Sequence, residues 1–120
     1  MGPGLLFAFP FSLMQSKVTP YALTDAATIA VDWNNSQNQY VTVAGNRTLT
    51  FSNPVAGTEY TITIIQDSTG SRTITWPSSV KWAGGSAPTL TTTASYRDYI
   101  KFFYDGTYYR DLAINKNYAA

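Results

Sequence analysis

Neither cysteine nor histidine occurs anywhere in the 120 residues of this chain. Without cysteine, the fold can use no disulfide bond and can offer no thiolate to a metal ion. Without histidine, the chain lacks the commonest general base, the commonest metal ligand and the usual partner of a serine nucleophile. The absence of both residue types excludes most kinds of catalytic and metal-binding site. The stability of the protein therefore has to come from packing or from association.

Charge is also scarce. Charged residues make up 12% of the chain and the formal net charge is +1, whereas roughly a quarter of the residues in a typical soluble domain are charged. A nucleic-acid-binding domain usually carries a basic patch. The cations of this chain are scattered instead, as the positions of six of its eight show: Arg47, Arg72, Lys81, Arg97, Lys101 and Arg110. We expect no nucleic-acid partner.

The first twenty residues differ in composition from the rest of the chain. Pro3, Gly4 and Pro10 interrupt this apolar segment and disfavour a continuous helix. Its first cation, Lys17, follows the apolar run instead of preceding it, which argues against a secretory signal, and the run is too short to span a membrane. The sequence therefore predicts an extended apolar arm over residues 1–20, a domain over residues 21–120 and no membrane partner.

Two roles are open for this arm. It could close the core of its own domain, or it could lie on another subunit, where its backbone would find hydrogen-bond partners at a sheet edge. In the second role the apolar side chains form a protein interface, and these are Leu5, Leu6, Phe7, Phe9, Phe11, Leu13 and Met14.

From Tyr21 onward, short segments of alternating apolar and polar residues are separated by turn residues, which is typical of β-strands. Segments 39–44 and 47–52 flank Gly45 and Asn46, which predicts a tight hairpin. Segments 60–66 and 72–76 flank a glycine-containing loop and predict a central hairpin. A third hairpin is predicted at Asp105 and Gly106.

This pattern gives about eight short strands with no helical period. Evenly spaced strands and turns of this kind are typical of a β-sandwich or a β-barrel. The sequence therefore predicts an all-β fold, more specifically a compact β-sandwich of jelly-roll type built from antiparallel strands.

The carboxylates are the one catalytic group left without histidine and cysteine. Asp67 and Asp105 lie in turn sequences, where aspartate commonly bonds to nearby backbone. Asp98 and Asp111 stand beside arginines, Arg97 and Arg110, on either side of the third hairpin turn, which predicts ion pairs across the strands. We therefore expect no catalytic residue, no cofactor and no bound metal, and we expect that the protein is not an enzyme.

The aromatic residues are the stronger binding candidates. On strand 99–104, Tyr99 and Phe103 face outward and are predicted to form a protein interface, where tyrosine and phenylalanine are enriched. The alternative is a face that stacks on sugar rings, and its candidate residues are Trp82, Tyr96, Tyr108 and Tyr109.

Four motifs follow one another from position 32 to the C-terminus: NRTLTFSNP, QDSTGSRTITWP, VKWAGGSAPTLT and FFYDGTYY. In this order they resemble a β-rich module of tailed bacteriophages. Such modules are virion surface proteins, at the ends of tail fibres or associated with the capsid. The resemblance supplies no catalytic residue, and it implies that 76–77, 80–82 and 105–106 are scaffold positions.

Two functions compete on this basis. The first is a capsid decoration, or cement, protein on the outer surface of the virion, which binds the major capsid protein as a homo-oligomer, with a homotrimer as the expected form. The alternative is a host-receptor or glycan-binding tip domain of a tail fibre. A fitting in the baseplate or neck of the virion remains open beside them.

Overall fold

The computed structural model describes residues 18–120, in which nine β-strands and one short 3-10 turn are formed. The strands are β1 (Tyr21–Ala22), β2 (Thr28–Asp32), β3 (Asn38–Val43), β4 (Arg47–Ser52), β5 (Thr58–Gln66), β6 (Ile74–Thr75), β7 (Val80–Lys81), β8 (Arg97–Tyr104) and β9 (Tyr109–Tyr118). The all-β prediction is confirmed. Across residues 18–120 we find no helix with the length and apolar character needed to cross a membrane.

The apolar interface residues predicted in the arm, from Leu5 to Met14, lie outside the described residues. Their role stays a prediction. The division of the chain into an arm over residues 1–20 and a domain over residues 21–120 likewise stays a prediction.

The strands form two sheets, and the chain alternates between them. The large sheet has the order β1-β3-β5-β8-β9-β7, and the small sheet has the order β2-β4-β6. Each strand from β3 to β6 pairs in parallel with the strand two elements earlier, so that Ile29 lies beside Leu49 and Val41 lies beside Ile64. The first half of the domain is therefore a coil whose successive turns stack on one another, as in solenoid proteins.

This arrangement corrects the predicted pairing. Segments 39–44 and 47–52 form no hairpin, and neither do 60–66 and 72–76, because in each case the second segment crosses to the other sheet. Gly45 and Asn46 lack the positive φ angles that a two-residue hairpin turn requires. Of the seven strand pairings among the described residues, five are parallel. The predicted jelly roll of antiparallel strands is not confirmed.

The hairpin predicted at Asp105 and Gly106 is confirmed. It joins β8 to β9, which are antiparallel, and Gly106 adopts φ 101° at the turn. The Asp105 carboxylate accepts two backbone N–H groups of the turn at 2.8 and 2.7 Å. On its other side β8 pairs antiparallel with β5. Strand β5 is therefore parallel to one neighbour and antiparallel to the other.

The core lies between the two sheets and is filled by the inward residues of each strand. Its fully buried members include Ile29, Val31, Leu49, Ile62, Ile64, Ile100 and Phe102. The ring of Phe102 contacts Trp76 and Trp82, with centroids 5.8 and 5.5 Å apart. Each buried side chain of this size stabilises the fold by about 1.5–3 kcal/mol.

Candidate functional site

The carboxylates of the described residues make hydrogen bonds and ion pairs that stabilise the fold. The side chain of Asp98 points into the interior and accepts two backbone N–H groups at 2.6 and 2.9 Å. Arg110 pairs with Asp105 at 3.0 Å, and Asp111 accepts a backbone N–H at 2.7 Å. The ion pairs predicted between the Arg97–Asp98 and Arg110–Asp111 segments are therefore wrong, because the alternation along β8 turns Asp98 inward.

Asp67 shows the same structural use of a carboxylate. It accepts hydrogen bonds from the Arg72 side chain at 2.9 and 3.2 Å, and from the backbone N–H of Gly70 at 2.9 Å. Arg72 first, and then Gly70, lowers the pKa of Asp67 to about 2. Within residues 18–120, no group of three acidic side chains is arranged to hold a metal ion.

The four aromatic residues predicted to stack on sugars are not brought together on one surface. Trp82 is half-buried and packs on Phe102, and Tyr96 is also half-buried. Tyr109 is 2% exposed, and burial raises the pKa of its hydroxyl. Tyr108 is exposed, with a lysine ammonium 5.0 Å and a guanidinium 5.4 Å from its ring centroid. Of the four, only Tyr108 is exposed, and two cationic side chains lie over its ring.

The two aromatic residues predicted at a protein interface lie on the outer face of the large sheet. Tyr99 is exposed and meets the ring of Tyr118 edge-on, with the centroids 5.3 Å apart. Phe103 is half-buried, and in the sheet register it stands between Glu59 and Arg110. Whether a partner covers them stays a prediction.

A groove of about 540 Å³, which we call the corner groove, opens at one side of the coil. Two chain corners form it, residues 33–37 between β2 and β3 and residues 53–57 between β4 and β5. Because the coil turns stack in parallel, these corners lie one above the other although they are distant in sequence. The polar lining residues are Thr19, Asn34, Asn35, Ser36, Gln37, Asn53 and Thr58, and none of the lining residues that the structure describes is charged.

Asp32 fastens the two corners together. Its carboxylate accepts the side-chain amide of Asn53 and the backbone N–H of Asn34, both at 2.9 Å. The Asn53 amide first, and then the Asn34 N–H, lowers the pKa of Asp32. Asn53 adopts φ 58°, a left-handed conformation that asparagine tolerates well. The groove walls are thus held in place before any ligand arrives.

Two aromatic rings form the floor of the corner groove. Trp33 and Tyr60 stack with their centroids 4.5 Å apart, and the Tyr60 hydroxyl accepts the Val55 N–H at 2.8 Å. The indole N–H of Trp33 is buried without a hydrogen-bond partner among the described residues. At the rim, no hydrogen bond from residues 18–120 engages the side-chain amides of Asn34 and Asn35. The part of the chain that the structure describes therefore leaves these two amides available to a ligand.

The corner groove was not predicted from the sequence, because its two walls are turns that lie far apart along the chain. A signal was nevertheless present, since segment 34–39 reads NNSQNQ and carries five amide side chains. A turn needs one or two such residues to bond its own backbone. Gln39 fills that role, with its amide donating to the carbonyl oxygens of Asp32 and Ser36 at 2.8 and 2.9 Å. The remaining amides are more than the turn requires.

A family model described as Putative phage tail fibre C-terminal domain matches residues 18–109. The match spans more than three quarters of the chain, and it includes both corners of the groove and the turn between β8 and β9. The resemblance to a phage virion surface module is thereby confirmed. No match was found among curated proteins or among solved structures.

Proposed function

This chain belongs to the phage tail fibre C-terminal domain family, and from that premise we propose that it is a tail fibre domain that binds neutral saccharides of the host surface in the corner groove. Membership makes it a structural protein of a phage virion. The capsid role expected from the sequence, with the major capsid protein as partner, gains no support from the match. The family favours the tail fibre alternative.

The corner groove is the observation that carries this proposal. Sugar hydroxyls both donate and accept hydrogen bonds, and so do primary amides. The amides of Asn34 and Asn35 line a groove in which residues 18–120 place no charged side chain, which suits an uncharged, hydroxyl-rich ligand. A volume of about 540 Å³ lies within the usual range of ligand sites. Because Asp32 already fixes the walls, binding orders few groups and loses little entropy.

We further propose that the domain binds without catalysing a reaction. A glycosidase needs two carboxyl groups on either side of the scissile bond. No carboxylate of residues 18–120 lines the corner groove. Of the two carboxylates that adjoin lining residues in the sequence, Asp32 is engaged by the amide of Asn53 and Glu59 is paired with Lys101. Adhesion is therefore the role that this chemistry supports.

The test is the binding of fluorescently labelled protein to cells that the phage infects. The double substitution Asn34→Ala and Asn35→Ala should weaken binding about tenfold, because two hydrogen bonds of ordinary strength are lost. Asn115→Ala, an exposed amide on β9, is the matched control and should change nothing. Unchanged binding by the double variant, with a circular dichroism spectrum like that of the original protein, would refute the proposal.

Association of several copies is a separate proposal, with the homotrimer as its expected form. One outer edge of the small sheet supports it, since no described strand pairs with the open side of the five-residue β2. Unpaired strand edges favour pairing with another chain. Analytical ultracentrifugation of the full chain tests the stoichiometry, and a monomer at virion-like concentration would refute it.

A further inference from the structure

A second groove lies on the outer face of the large sheet, and its walls are two tyrosines. In the register of β3, β5 and β8, Thr63 lies between Tyr40 and Tyr99. Neighbouring strands are about 4.8 Å apart, so the two tyrosines stand roughly 10 Å apart. Thr63 is only 5% exposed although it points outward, because the flanking side chains shield it. We call this groove, of about 260 Å³, the tyrosine slot.

The two ends of the tyrosine slot differ in chemistry. Asn38 pairs with Thr61 at one end, and Arg97 pairs with Ile65 at the other. All four residues belong to the same outer face, since they alternate with buried residues along their strands. An amide therefore stands at one end of the slot and a guanidinium at the other.

Arg97 has no carboxylate partner among the described residues. The other three arginines are paired with Asp25, Asp67 and Asp105. The adjacent carboxylate, Asp98, points into the interior and is held by backbone N–H groups. Lys101, further along the same face, is paired with Glu59 at 2.9 Å. Within residues 18–120, the slot thus carries at its Arg97 end one positive charge that no carboxylate balances.

We propose that the tyrosine slot binds a saccharide that carries a carboxylate, with a sugar ring between Tyr40 and Tyr99 and the carboxylate on Arg97. A guanidinium binds a carboxylate through two parallel hydrogen bonds, and one guanidinium balances one negative charge. Aromatic side chains present apolar surface to the C–H groups of a sugar and a hydroxyl to its oxygens. The slot shares no lining residue with the corner groove, so this inference does not depend on that site.

Saturation-transfer NMR and calorimetry with three acidic oligosaccharides test the inference. The probes contain galacturonate, glucuronate or sialic acid, and each is compared with its methyl ester, which has nearly the same shape without the charge. At least one acid should bind about tenfold more tightly than its ester, since charged hydrogen bonds are the strong ones. High salt should reduce that preference.

Variants of the slot residues test where the acidic saccharide binds. Arg97→Gln should abolish the preference for acid over ester, Arg97→Lys should retain part of it, and Tyr99→Ala should weaken both ligands. Leu112→Ala is the control, since Leu112 is a large exposed side chain, at 51%, that does not line the tyrosine slot. The double variant of Asn34 and Asn35 should also bind the acid normally, which separates this site from the corner groove.

Three results would overturn the inference. The first is that no acid binds better than its ester, and the second is that Arg97→Gln retains the full preference. The third is that Tyr99→Ala alters the sedimentation of the protein and leaves acid binding intact. In that case the outer face of the large sheet is a contact between copies of the chain.

Discussion

Gly70 and Thr92 approach each other so closely that a β-carbon on Gly70 would stand 2.6 Å from the Thr92 carbonyl oxygen. The same oxygen accepts the backbone N–H of Ser71 at 2.8 Å. The loop that follows β5 is thereby docked onto the segment that precedes β8. Gly70 also has φ +74°, so both its conformation and its surroundings require glycine.

Gly70→Ala should lower the free energy of unfolding by about 2–4 kcal/mol, because the left-handed conformation and the clash with backbone each cost roughly 1–2 kcal/mol. Gly84→Ala is the matched control. Gly84 has φ +78°, but a β-carbon at this position would meet no atom within 4 Å, so only the conformational cost of about 1 kcal/mol applies. Urea denaturation measures the free energy of unfolding of both variants. Equal losses in Gly70→Ala and Gly84→Ala would contradict the close approach of Gly70 to Thr92.

Gln66 is a buried amide that fastens two loops. Its side chain donates to the carbonyl oxygens of Arg72 and Thr91 and accepts the Arg72 N–H, each at 3.0 Å. Gln66→Ala should destabilise the fold by about 2–4 kcal/mol, because buried backbone groups lose their partners. Gln37→Ala, at an exposed position with one bond of 3.3 Å, should cost about 0.5 kcal/mol or less. Similar losses in thermal unfolding would contradict this role for Gln66.

Acid should destabilise the protein through Asp67. The pKa of this carboxyl is about 2 in the folded state and close to 3.9 in an unfolded chain. Its stabilisation is therefore complete above about pH 4 and is lost as the pH falls toward 2. Asp67→Asn should make the decline of Tm over this range shallower, whereas Thr69→Ala, a neutral change in the same loop, should leave the slope unaltered. An identical slope in Asp67→Asn would refute the assignment.

The parallel coil can be tested by crosslinking, because the chain has no cysteine of its own. Ala30 and Thr50 are exposed and adjacent in the small sheet, so Ala30→Cys with Thr50→Cys should form a disulfide under mild oxidation. Thr42→Cys with Thr50→Cys should keep both thiols free, since Thr42 belongs to the large sheet. Thiol titration measures the outcome. If both thiols of the Ala30→Cys and Thr50→Cys variant stay free after oxidation, the parallel register is contradicted.

The sequence predicted the elements of the fold better than their pairing. Segment 47–52 was correctly predicted as a strand, and Asp105 and Gly106 were correctly placed at a hairpin turn. Alternation has the same period whether a strand returns within its own sheet or crosses to the other, so it could not reveal the parallel coil. The corner groove escaped for the same reason, because Asn34 and Asn53 become neighbours only when the coil turns stack.

The stacked coil also suggests how such a domain can diversify. One turn of the coil, measured from Ile29 to Leu49, occupies about twenty residues. Duplication of such a turn ahead of β3 would leave the pairing of β5, β8 and β9 unchanged. It would also add another corner to the groove, about 4.8 Å from the existing one, which is the spacing between neighbouring strands. A single in-frame duplication would therefore lengthen the corner groove, with the core already matched to the new turn.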